Sequence, residues 1–110
     1  MGTSEAFEYT VKLRDGFATV EVRGEVDAFS GPSLADAVMA LTSDGLSRIV
    51  IDLEHVTFID SKGLSALLLS HRSATENDIV LTVEHLQPAV ERLFRISGVD
   101  AVLVDPDRPG

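Results

Sequence analysis

The amino-acid sequence predicts a single α/β domain: a mixed β-sheet with packed helices, in the order β-β-α-β-α-β-α-β. Three observations carry that reading. Phe7 to Leu13 alternates apolar and polar residues at period two and runs into Asp15-Gly16, so the chain opens on a hairpin. Ile49-Val50-Ile51 is a continuous β-branched run, the pattern of a parallel strand buried on both faces. Around these strands lie segments with apolar residues at helical spacing, opened or closed by proline or glycine. A hairpin feeding repeated strand–helix units produces a mixed sheet.

The first strand sets Phe7, Tyr9, Val11 and Leu13 against Glu8, Thr10 and Lys12. The second, Phe17 to Arg23, sets Ala18, Val20 and Val22 against Phe17, Thr19, Glu21 and Arg23, and Gly24-Glu25-Val26-Asp27 follows as a loop. Gly31-Pro32-Ser33 opens a helix, because proline at the first helical position loses no hydrogen bond. Leu34, Val38 and Leu41 form its apolar stripe, and Asp44-Gly45 ends it with glycine in the left-handed closing position. The third strand runs from Arg48 to Leu53. Val56, Phe58 and Ile59 then lead into Asp60-Ser61-Lys62-Gly63 and a second helix, with Leu64, Leu67, Leu68 and His71 on one face. Asn77-Asp78 is a turn and Ile79 to Val83 a strand. Pro88 starts a third helix with Val90, Leu93 and Phe94 inward, Gly98 closes it, and Ala101 to Val104 reads as a short last strand.

The 110 residues suit one domain spanning 1–110, ordered over about 6–104, with the polar ends 1–5 and 105–110 frayed. The absence of cysteine excludes disulfides, thiolate catalysis and zinc–thiolate or iron–sulfur sites. The start has no basic-then-apolar leader pattern, and the longest mostly apolar stretch, Gly63 to Leu69, is far short of a membrane span, so the cytoplasm is the expected location. Eighteen acidic residues against nine basic ones give a formal charge of −9. That charge disfavours nucleic acid and anionic membranes and would steer in a basic protein partner. A monomer is the default expectation.

The most informative stretch is Phe58-Ile59-Asp60-Ser61-Lys62-Gly63-Leu64. Asp60 or Ser61 can cap the free N–H groups of the second helix, at the positive end of its dipole. Gly63, inside the first helical turn, costs about 1 kcal/mol relative to alanine, which suits a place where another backbone or a ligand comes close. This stretch resembles the signature of the STAS family, in particular the bacterial anti-sigma factor antagonists. Gly24-Glu25-Val26-Asp27 is similar to that family's loop after the second strand. Ile49-Val50-Ile51-Asp52-Leu53 is similar to its buried strand, and Pro88-Ala89-Val90-Glu91-Arg92-Leu93-Phe94 with Gly98-Val99 to its last helix and closing turn.

The resemblance implies that Ser61 is a phosphoacceptor. It implies that the unphosphorylated protein binds an anti-sigma factor that is also a serine kinase, releasing the sigma factor. Phosphorylation of Ser61 ends the interaction and a serine phosphatase restores it. Asp27 corresponds to a position implicated in partner contact, although it also reads as a turn-forming or capping aspartate. The implied contact surface is Asp27, Asp60, Ser61, Lys62, Gly63 and Leu64, with ATP and Mg²⁺ belonging to the kinase and no cofactor of this chain's own. Lys62 departs from the small residue common at its position and could partly neutralise a phosphate, and Ser65, one turn on, is a second candidate for modification.

Other chemistries lack their residues. His55, His71 and His85 have no ligand spacing, no G-x-S-x-G elbow surrounds Ser61, and no phosphate-binding glycine loop occurs. A response-regulator receiver would use strand-end Asp52, but acidic residues after the first strand and a lysine after the last are missing. Within the family, the alternative is a non-switching STAS subunit of a stress-signalling scaffold or a lipid-transport complex.

Overall fold

The computed structural model describes residues 6–43 and 45–104. The sheet has four strands in sequential order: β1 (Glu8–Arg14), β2 (Phe17–Val26), β3 (Arg48–Ile59) and β4 (Val80–Glu84). β1 pairs antiparallel with β2, and β2–β3 and β3–β4 pair in parallel. The hairpin turn is made by Asp15 and Gly16 at φ 49° and 84°, the double left-handed geometry that matches strand twist. The helices are α1 (Ser30–Leu41), α2 (Ser61–Glu76), α3 (Pro88–Ser97) and α4 (Asp100–Leu103).

The two parallel connections carry α1 and α2, which pack on one another; right-handed crossovers that advance in the same direction leave their helices on the same face. Ala18, Val20 and Val22 of β2, Ile49, Ile51 and Leu53 of β3, and Leu81 and Val83 of β4 are buried in one core with Leu34 and Val38 of α1 and Leu67 of α2. Val90 and Phe94 of α3 join that core, while Leu93 is only partly buried. Val50 is half-buried, so β3 is covered fully on one side and in part on the other. Among the described residues, no helix is long and apolar enough to cross a membrane.

Five boundaries differ from the sequence reading by more than one residue. α1 begins at Ser30, so Pro32 is its third residue and not its first. The segment Ala101–Val104 is not a strand: Asp100–Leu103 is a single helical turn. Gly98, at φ 77°, closes α3, after which Val102 and Leu103 N–H groups both donate to the Val99 carbonyl. Only Val99 and Leu103 are then buried, at i and i+4; a strand would alternate, and exposed Val102 shows that burial overrides β-branched preference here. β2 continues through Gly24–Val26, and β3 continues to Ile59. At the register shifts between Glu21 and Arg23 and between Gly24 and Glu25 the extra residue lies in β3, whose alternation breaks after Leu53, while β2 alternates unbroken to Val26 and pairing continues. α1 stops at Leu41, with Thr42 at its cap, ahead of Gly45; Asp44, like the two chain ends, lies outside the described residues.

Candidate functional site

Val26 and Ile59, the last residues of β2 and β3, are register partners, so the loops that follow emerge side by side. Each loop turns at once into a helix, and the first turns of α1 and α2 therefore meet at one rim of the domain, beyond the C-terminal ends of the two central strands. The contact is a backbone contact. A Cβ built on Gly31 would lie 3.7 Å from the Gly63 Cα and 3.6 Å from the Lys62 carbonyl oxygen. A Cβ on Gly63 would lie 2.1 Å from the Val26 carbonyl oxygen, well inside contact distance. Gly63 is thus demanded by the backbone of β2.

An aspartate organises each helix start. Asp60 is the N-cap of α2, in extended conformation, and its carboxylate accepts the Gly63 N–H at 2.8 Å while its carbonyl accepts the Leu64 N–H at 2.9 Å. The Asp60 N–H donates to the Val26 carbonyl at 3.3 Å, tying the cap to β2. At α1 the cap role is taken by Asp27, two residues ahead of Phe29. Its Oδ1 accepts the N–H groups of Phe29 at 2.9 Å and Ser30 at 3.0 Å, and its carbonyl accepts the Gly31 N–H at 2.8 Å. The buried Ser30 hydroxyl accepts the Asp27 N–H at 2.9 Å and lies 2.8 Å from the Glu25 carbonyl, to which it donates.

These bonds hold the Asp27 carboxyl below its ordinary pKa, the Ser30 N–H contributing most and the Phe29 N–H next. The folded pKa lies below the unfolded one, so the contribution of the ionised cap is fully present above the ordinary value of about 3.9 and is lost as pH falls through the folded value. The stability difference between wild type and Asp27→Asn, followed by thermal melts, is expected to be flat from pH 7 to about 4.5 and to shrink below about 3.9. An unchanged difference down to pH 3 would show that the carboxylate charge is not what the loop uses.

Ser61 is the first residue of α2 and is exposed; its carbonyl accepts from the Ser65 hydroxyl at 2.9 Å, and its own hydroxyl makes no hydrogen bond among the described residues. Lys62 is exposed beside it. Gly63 and Leu64 are buried, so they place the helix start without presenting side chains, whereas Asp27 and Asp60 are half-buried at its rim. All six residues singled out in the sequence thus gather at one edge. Two residues there escaped the sequence reading: Ser30, which stitches the loop, and Phe29, which is 91% exposed. The signal at this helix start is Gly31-Pro32-Ser33, which begins one residue after Ser30, and no periodic pattern marks a loop aromatic. A groove of about 490 Å³, lined in part by His71, Thr75, Val80 and Val102, sits at the far end of α2 and does not include Ser61.

This architecture and sequence have known counterparts. The chain matches the STAS domain over residues 8–108. It is 31% identical over 86 residues to the anti-sigma-B factor antagonist of Staphylococcus aureus, covering 78% of this chain and 80% of that protein. A crystal structure of an anti-sigma factor antagonist from Mycobacterium paratuberculosis superposes with a TM-score of 0.76 at 28% identity, over 90% of this chain and 84% of that one. The antagonist SpoIIAA in its unphosphorylated form shares the fold with a TM-score of 0.74 at 19% identity, over 94% and 90% of the two chains.

Proposed function

Because this chain belongs to the STAS domain family, we propose that it is a cytoplasmic anti-sigma factor antagonist switched at Ser61. With Ser61 unmodified it binds a kinase-type anti-sigma factor and so releases the sigma factor. The contact surface is the edge where α1 and α2 begin: Asp27, Asp60, Ser61 and Lys62 face the partner, and Gly63 and Leu64 fix their placement. The single observation that carries the reading is the exposed Ser61 at the head of α2, whose hydroxyl makes no hydrogen bond among the described residues. The chain acts stoichiometrically and contributes to the chemistry only its hydroxyl. The Ser61 Oγ attacks the γ-phosphorus of the kinase-bound ATP and its proton passes to a base of the kinase. An Oγ–P bond forms as the bond from the γ-phosphorus to the bridging oxygen breaks, and ADP leaves. A serine phosphatase reverses the modification by hydrolysis.

Ser65 is the competing acceptor, but its hydroxyl already donates to the Ser61 carbonyl. Incubation with the cognate anti-sigma factor and Mg-ATP, followed by peptide mass spectrometry, is expected to find one phosphate on Ser61 and none on the Ser61→Ala variant. Phosphate on Ser65 with Ser61 untouched would overturn the assignment.

A further inference from the structure

We propose that Phe29 is the apolar anchor of this interface, seated in a pocket of the anti-sigma factor whose rim is basic. The inference rests on the antagonist reading and names a contact within it. Phe29 is the most exposed large hydrophobic residue described, at 91%. It stands at the same edge as Ser61: Gly31 and Gly63 abut, and Phe29 and Ser61 each lie two residues ahead of one of them. Its backbone is already fixed, because its N–H is held by the Asp27 carboxylate, which also holds the Ser30 N–H. A large side chain on a pre-set backbone loses little freedom on docking, and buried aromatics at the centre of an interface carry much of its affinity.

Charge identifies the rim. In the two helix openings, residues 27–33 and 60–66, Asp27 and Asp60 are the acidic residues and Lys62 the single basic one, in a chain of net charge −9. Two carboxylates against one lysine beside the aromatic, in a chain of this net charge, favour an apolar pocket bordered by lysine or arginine and disfavour a second copy of this acidic chain. Phosphate on Ser61 would then enter the zone that must lose water for Phe29 to seat.

Calorimetric titration of the purified cognate anti-sigma factor with the full chain tests this, using wild type, Phe29→Ala, Ser61→Asp and, as a control, Met39→Ala, a half-exposed apolar residue in the second half of α1. Phe29→Ala is expected to weaken binding at least about thirtyfold with an unchanged melting temperature, and Met39→Ala to stay within about twofold. Binding by Phe29→Ala within about threefold of wild type, while Ser61→Asp still fails to bind, overturns the anchor and leaves the antagonist reading standing. Failure of wild type itself to bind overturns both. A wild-type Kd that does not rise with added salt overturns the basic rim, and a wild-type dimer that Phe29→Ala converts to monomer makes the occupant a second copy.

Discussion

Gly63→Ala is expected to lower the stability of the domain by about 3 kcal/mol, a large share of the ~5–15 kcal/mol that holds a domain together. Alanine is the better helix former by about 1 kcal/mol, so propensity alone predicts the opposite sign. Geometry decides against it. The added Cβ would stand 2.1 Å from the Val26 carbonyl oxygen and 2.7 Å from its carbon, both backbone atoms of a strand paired to its neighbour. Relief requires α2 to move off β2, which strains the Asp60 N–H to Val26 bond and the Asp60 cap together. Urea denaturation followed by circular dichroism reads the loss directly, and a melt should fall by about 12 °C. Gly31→Ala is the internal comparison: its Cβ would press on the Ala66 methyl at 3.0 Å, a side-chain contact that can yield, so its cost is smaller. If Gly63→Ala unfolds within about 0.5 kcal/mol of wild type, the two backbones are not locked as described.

Ser61→Asp is expected to weaken binding to the anti-sigma factor at least about a hundredfold, or about 2.7 kcal/mol, while Ser61→Ala stays within about threefold of wild type. The cost arises in the complex and not in the free domain. Free, residue 61 is exposed at a helix N-terminus, where negative charge is tolerated, so the melting temperature of both variants should stay close to that of wild type. Bound, a second carboxylate beside Asp60 must be stripped of water. The Gly63 N–H that could have satisfied it already serves Asp60, and burying an unpaired charge is expensive. Phosphate, with about −1.5 to −2 charges, meets the same obstacle in stronger form. Equal affinities for the alanine and aspartate variants, measured by calorimetry, would remove Ser61 from the switch and leave the fold assignment untouched.

Much of this was legible in the sequence, for reasons that differ from element to element. The hairpin announced itself because Asp15-Gly16 supplies the two left-handed residues that such a turn needs. Helix starts were legible where a proline or an aspartate sits at a position the backbone restricts, as at Pro88 and Asp60. Gly63 was legible as a point of close approach, but not which chain segment approaches, since the pairing of Val26 with Ile59 is a long-range fact. The same limit hid the full length of β3, whose bulges break the period on which a strand reading depends; β2 keeps its alternation to Val26, and Gly24 alone suggested a loop there. Asp27 offered two readings, a capping residue and a partner contact; the bonds to Phe29 and Ser30 establish the first. The last segment differs because Val102 and Val104 prefer strands locally, while the turn that forms buries Val99 and Leu103, leaves Val102 exposed and packs Val104 only partly against the core.

The paired caps have a consequence in time. Both helix openings are closed by carboxylates of their own loops, so neither cap uses the Ser61 hydroxyl. On the proposed reading the domain records its state as charge at one oxygen, with no second conformation to decay from. Such a record cannot fade by thermal relaxation, which erases conformational states in microseconds to seconds. It lasts as long as a phosphate monoester lasts in water, and that hydrolysis is among the slowest uncatalysed reactions known. The lifetime of the signal is therefore set outside this chain, by the rate at which the phosphatase is supplied.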